Sequence, residues 1–113
     1  ANSFNSNLSS WDVSRVTTMM QMFMESSVFN GDVSPWDVSN VTHMGEMFNF
    51  AELFNSDLSS WDVSSVTNMW FMFYFARTFD QDLSAWNMSN VYTISGMFWS
   101  ADKFNSDLSG WDT

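Results

Sequence analysis

The chain repeats the same sequence word every 25 residues without an insertion, and this periodicity constrains its fold more than any other feature. Apolar residues return at fixed positions, and the tryptophan column is Trp11, Trp36, Trp61, Trp86 and Trp111. A unit this short cannot bury an apolar face alone, so stacked copies must share one core. We predict one repeat domain over 1–113, with repeats at about 4–28, 29–53, 54–78 and 79–103 and a partial repeat at 104–113.

Within one repeat the apolar spacing changes character. Trp11 and Val13 have the two-residue alternation of a short strand, and the residues that follow have the i, i+3, i+6, i+7 spacing of a helical face: Val16, Met19, Met22 and Phe23. We therefore predict an α/β solenoid with a parallel sheet on one side and short helices on the other. The alternative is an all-β solenoid without helices, which the methionine-rich segments and their helical spacing disfavour.

The repeat word also resembles a known family. Asn-Ser-Asp-Leu-Ser-Ser-Trp-Asp-Val-Ser-x-Val-Thr-x-Met-x-x-Met-Phe is similar to the BspA-like class of leucine-rich repeats, which includes a mycoplasma domain of unknown function. The resemblance covers nearly the whole chain, with a departure in the fourth repeat at Asn87, Met88 and Tyr92. It implies a leucine-rich-repeat-like fold and an extracellular or cell-surface protein linked to adhesion, without a catalytic residue.

The charge balance narrows the choice of partners. Thirteen acidic residues against three basic ones give a formal net charge of −10, which opposes binding to nucleic acid and to anionic membranes. No run of 18 apolar residues is present, so we expect no membrane insertion. Cations, basic proteins, neutral glycans or further copies of the chain are the expected partners.

Two rows of the repeat are acidic. One row contains Asp12, Asp37, Asp62, Asn87 and Asp112, and the other contains Asn7, Asp32, Asp57, Asp82 and Asp107. The simpler interpretation is that each carboxylate accepts hydrogen bonds from nearby backbone N–H groups or serines. The alternative is a divalent cation, calcium above all, that bridges neighbouring repeats, although neither row matches a known calcium loop. A further row is expected to form an internal ladder of amides that satisfies turn backbone groups: Asn5, Asn30, Asn55, Asp80 and Asn105.

The third predicted helix is apolar nearly all the way round. Such a helix either extends the core or is covered by a partner. On the second interpretation, the candidate residues for self-association or partner binding are Trp70, Phe71, Tyr74 and Phe75, together with Trp99 of the next repeat. Trp111 is a further self-association candidate because it lies in the last, uncapped repeat, where head-to-tail stacking would occur.

Catalysis has no recognisable basis in this sequence. His43 is the only histidine, cysteine is absent, and no nucleophile set, phosphate loop or metal-ligand pattern is present, so we predict neither an enzyme nor a resident cofactor. We expect a structural or adhesive surface protein that presents a binding or self-assembly surface, with head-to-tail filaments through uncapped ends as one form of assembly. The alternative is a calcium-dependent, glycan-binding or ice-binding recognition module from a longer surface protein. The ice-binding alternative rests on the hydroxyl row of Thr17, Thr42 and Thr67.

Overall fold

The methionine and phenylalanine segment of each repeat is a chain of β-turns rather than a helix. The computed structural model describes residues 8–105, 108–109 and 111. In the first repeat, the N–H groups of Met22, Met24 and Ser26 donate to the carbonyls three residues earlier at 3.1–3.2 Å. An α-helix bonds residues four apart and keeps every φ negative, but Gln21 and Glu25 have φ values of 62° and 61°. These left-handed positions interrupt any helix and recur in every later repeat: Glu46, Phe50, Phe71, Phe75, Gly96 and Ser100.

The remaining N–H groups of this segment bond the next repeat. Met19, Gln21, Phe23 and Glu25 donate to the carbonyls 24 residues later at 2.7–3.0 Å. The same set of four bonds joins 44–50 to 68–74 and 69–75 to 93–99. One half of the donors therefore closes turns and the other half crosses to the neighbouring repeat, which accounts for the backbone polar groups of the segment.

The predicted α/β solenoid with a parallel sheet and helices is wrong. In the described part of the chain there is no helix, and the parallel pairings are isolated bridges that join Thr18 to His43, His43 to Asn68 and Asn68 to Thr93. The predicted strand at Trp11 to Val13 lies between two turns, which are closed by bonds from Trp11 N to Leu8 O and from Val16 N to Val13 O at 3.0 Å. The molecule is a compact body of 36 × 32 × 19 Å in which successive 25-residue units lie against one another.

Two columns of phenylalanine rings fill the interior. Within each column the ring centroids are 5.5–5.6 Å or 5.9–6.0 Å apart and nearly parallel, and each ring meets its partner in the other column at 4.0–4.3 Å. The columns are Phe23, Phe48, Phe73 and Phe98, and Phe29, Phe54, Phe79 and Phe104. Offset stacked pairs stabilise a core by about 0.5–1.5 kcal/mol beyond their buried area. The repetition of rings at one position therefore ties neighbouring repeats together.

The tryptophan column adds a polar link to this packing. The indole N–H groups of Trp36, Trp61 and Trp86 each donate to a carbonyl 28 residues earlier at 2.9 Å, while their rings are 3–4% exposed. Trp11 is 52% exposed. Each buried indole thus both packs against the core and fixes the register of the preceding repeat.

The asparagine column satisfies turn backbone groups, as the sequence predicts. The side-chain oxygens of Asn30, Asn55 and Asp80 accept from the backbone N–H 25 residues later at 2.8–3.1 Å. Asn5 lies outside the described residues. The side chains are exposed or half-buried, so the column runs along the surface rather than inside the core.

Within the part that the structure describes, no helix is long and apolar enough to cross a membrane.

Candidate functional site

Six aromatic side chains form one continuous surface, which we call the aromatic face: Phe50, Trp70, Phe71, Tyr74, Phe75 and Trp99. Phe71 lies at its centre, with ring centroids 4.8 Å from Trp70, 5.1 Å from Tyr74 and 5.7 Å from Trp99. Phe75 stacks on Phe50 at 4.7 Å and meets Tyr74 edge-on at 4.6 Å. Five of the six rings were predicted from the sequence.

Phe50 is the ring that sequence reasoning missed. It lies 25 residues before Phe75 and occupies the same repeat position, so the periodicity itself places the two rings side by side. The signal was therefore present, but the prediction followed the rows of Trp70 and Tyr74 into other repeats and did not follow the row of Phe75.

Trp111 does not belong to the aromatic face. Its ring stacks on Trp86 at 6.5 Å and its indole donates to Leu83 O at 3.0 Å, which makes it a half-buried member of the tryptophan column. The structure thus separates Trp111 from the other five predicted residues.

The turn backbone directs the face outward. Phe50, Phe71 and Phe75 have φ values of 60°, 53° and 57°, a left-handed conformation that phenylalanine rarely adopts. Non-glycine residues held there cost about 1–3 kcal/mol each and persist where surrounding structure fixes them. Trp99 is 62% exposed, Trp70 38% and Phe50 37%, whereas the interior phenylalanines Phe48 and Phe73 are fully buried.

Gly96 provides the space for the central ring. A Cβ at this position would collide with the ring of Phe71, and the φ of Gly96 is +66°. Both the close approach of the ring and the left-handed backbone favour glycine here. The aromatic face is therefore supported by a specific residue of the fourth repeat.

Charged groups border the face on the side of Phe50. Glu25, Ser27 and Glu52 line an open depression of ≈ 390 Å³ together with Phe50. Next to the same edge, the guanidinium of Arg77 lies over the ring of Phe75 at 5.2 Å. Apolar rings and carboxylates are thus adjacent on one surface.

Glu46 precedes Phe71 by one repeat and is held in place from both sides. Its backbone N–H donates to Trp70 O at 2.7 Å, and its carboxylate accepts from Gln21 Nε2 and Asn49 Nδ2 at 3.0 Å each. Glu46 therefore occupies the repeat row of Phe71, just as Glu25 occupies the row of Phe50 and Phe75.

The first acidic row forms tight local turns. Asp12, Asp37 and Asp62 each accept from the backbone N–H of the serine two residues later at 3.0 Å and from its hydroxyl at 2.6–2.7 Å. The serine hydroxyl first, and then its backbone N–H, lowers the pKa of each carboxyl. In the fourth repeat Asn87 Oδ1 accepts from Ser89 N at 3.0 Å, which shows that the turn forms without the charge.

The second acidic row forms the same kind of turn. Asp32, Asp57 and Asp82 accept from the backbone N–H of the serine two residues later at 2.8–2.9 Å. The serine hydroxyl first, and then its N–H, lowers the pKa of Asp32 and Asp82, whereas for Asp57 the N–H contributes more than the hydroxyl. The predicted role of these carboxylates as local hydrogen-bond acceptors is confirmed. Asp107, Asp112 and Asn7 lie outside the described residues.

Other candidate groups are also engaged in the framework. Among the described residues, no three His, Cys, Asp or Glu side chains come together as a metal site would require. The imidazole Nδ1 of His43 accepts from Gly45 N at 3.0 Å. The hydroxyls of Thr42 and Thr67 donate to the carbonyls of the preceding threonines at 3.1–3.2 Å. The calcium-binding and ice-binding alternatives remain predictions.

These features define a tandem-repeat protein whose most distinctive surface is aromatic. The chain belongs to the family described as Mycoplasma protein of unknown function, DUF285, whose model matches residues 1–111. The match supports the mycoplasma-type repeat that the sequence word predicts, but not a leucine-rich repeat specifically. No curated protein and no solved structure matches the chain.

Proposed function

We propose that this protein is a non-enzymatic binding module that presents its aromatic face to a partner at the cell surface. The exposure of the aromatic face carries the proposal. Large contiguous apolar patches are rare on soluble proteins and mark surfaces of interaction. Tryptophan and tyrosine are enriched at the energetic centres of such surfaces because they bury much area and lose little conformational entropy.

The fixed geometry of the rings also favours binding. Trp70 and Tyr74 pack on Phe71, and Phe71 in turn fills the space above Gly96. Side chains that are already ordered lose less freedom when a partner arrives, so more of the contact energy appears as affinity. The extracellular or cell-surface setting comes from the repeat-word resemblance and forms part of this proposal.

Arrays of immobilised peptides and glycans provide the test, with the double variant W70S/W99S compared with the unaltered protein. Tyr92 is 77% exposed and is not among the six rings, so Y92S is a control for the loss of an exposed aromatic residue. We expect the unaltered protein and Y92S to bind the same peptides or glycans, and W70S/W99S not to bind them. Binding that is indifferent to W70S/W99S, or no binding on either array, would overturn the proposal.

Head-to-tail assembly is a second candidate, supported by the first described repeat. Trp11 and Met22 are exposed there and line an open depression of ≈ 360 Å³ with Leu8 and Phe23. A preceding repeat, supplied by another copy or by a longer chain, would cover this surface in the same way that later repeats cover one another. Light scattering over a wide concentration range tests the idea, and monomers throughout would contradict assembly.

A further inference from the structure

Building on the proposed function, we propose that the aromatic face and the depression beside it bind the basic residues of a cationic peptide segment, arginine in particular. The observation behind this assignment is that apolar rings and carboxylates share one surface. Glu25 and Glu52 line the depression with Phe50, and Phe50 stacks on Phe75 at 4.7 Å. A ligand that follows the surface therefore passes from two carboxylates directly onto ring faces.

The molecule already contains one example of this recognition. Arg77 places its guanidinium 5.2 Å from the centroid of Phe75, within the distance of about 6 Å at which a cation is attracted by a ring. Arginine suits the whole surface because its planar group both stacks on aromatic rings and donates paired hydrogen bonds to a carboxylate. Lysine offers a more strongly hydrated point charge and no flat surface for stacking.

The overall charge favours a basic partner over a second copy of the chain. Each copy has a formal charge of −10 and contains only three Lys and Arg residues. Two copies that met through this face would bring their glutamates together, whereas a cationic segment would neutralise them. Attraction of this kind also speeds encounter at low salt.

The distance between the rings of the aromatic face predicts the distance between arginine side chains in the bound peptide. From Phe50 through Tyr74 to Trp99 the face crosses two repeat steps, a distance of about 10 Å if repeats lie one hydrogen-bonded spacing apart. A peptide in the polyproline II conformation has three residues per turn and advances by about 3.1 Å per residue, so side chains three residues apart lie on the same side at about 9 Å, close to this distance. We therefore expect a preference for arginines in the pattern Arg-x-x-Arg.

Calorimetric titration with the peptide Gly-Arg-Gly-Gly-Arg-Gly tests the inference, with the same peptide carrying Lys or Gln in place of Arg for comparison. We expect the arginine peptide to bind most tightly and the glutamine peptide not to bind. The variant E25Q/E52Q should weaken binding by about tenfold because it removes both carboxylates of the depression. The matched control is D12N/D37N, which removes the same amount of charge from the first acidic row, and it should weaken binding by less than about threefold.

Three results would overturn the inference. Equal losses in the two double variants would show a response to net charge alone, and equal affinity for the arginine and glutamine peptides would show no role for the cation. Absence of binding to the arginine peptide, together with glycan-array binding that W70S/W99S abolishes, would refute the basic ligand while leaving the proposed function intact. Urea unfolding of each variant establishes that the fold is retained.

Discussion

Replacing Trp61 by phenylalanine tests whether the indole-to-carbonyl bond holds neighbouring repeats together. The indole N–H donates to Val33 O at 2.9 Å, and Val33 O also accepts from Trp36 N at 3.1 Å. The carbonyl therefore keeps one partner in W61F, and the lost bond should cost about 0.5–1.5 kcal/mol rather than the larger cost of an orphaned buried group. The smaller ring removes about two carbon-sized groups from the core at ~0.8 kcal/mol each, which brings the expected loss to about 2–3 kcal/mol.

Urea unfolding followed by tryptophan fluorescence measures this loss, and W11F is the matched control. Trp11 occupies the same repeat position but is 52% exposed, whereas Trp61 is 3% exposed. The control makes the same chemical change and should cost less than about 1 kcal/mol. If W11F and W61F lower the free energy of unfolding equally, the bond between repeats does not contribute as described.

Three further predictions follow from the turns. Ser100 has a φ of 58°, so S100G should raise the free energy of unfolding by about 0.5 kcal/mol, whereas S65G, at an exposed residue of negative φ, should lower it by a similar amount. Ser64 lowers the pKa of Asp62 in the folded state, so the ionised carboxylate stabilises the fold fully above its unfolded pKa of about 3.9, and this stabilisation is lost as pH falls through the lower pKa of the folded state. D62N should reduce the loss of stability in acid while keeping the turn. An unchanged dependence of the free energy of unfolding on pH would contradict this. Calcium should raise the melting temperature no more than sodium chloride of equal ionic strength does, and a larger rise would support a calcium ion that bridges neighbouring repeats.

The repeat period predicts the packing of the interior well because each row needs the same residue type in every unit. Trp36, Trp61 and Trp86 were assigned to one row from the sequence, and all three are buried. The roles of Asp62 and Asn55 as acceptors for turn N–H groups were also predictable, since both residue types form such bonds over short distances. The burial shared by the residues of one row and the short-range hydrogen bonds of the turns can therefore be predicted from the sequence.

The helix prediction was wrong because β-turns linked in series also give contacts between residues three apart. Met19 and Met22 are joined by one turn, so their spacing satisfies a helical pattern without a helix. The residues that rule out a helix are those with positive φ, and in the first three repeats they include Gln21, Glu46 and Phe71. None of these residue types indicates a left-handed backbone. In the fourth repeat the equivalent position is Gly96, and glycine is the residue type that favours this conformation.

The hydrogen bonds between repeats also have a consequence for how such a chain folds and changes length. Those that link Met44, Asn55 and Trp61 to adjacent units span 24, 25 and 28 residues respectively, so one neighbour is enough to form each bond. Loop closure over this distance is the same at every step, and growth from any adjacent pair adds one unit at a time. A duplicated 25-residue segment would meet the same donors and acceptors on both sides, which makes gain or loss of whole units the easiest structural change for this chain to accept.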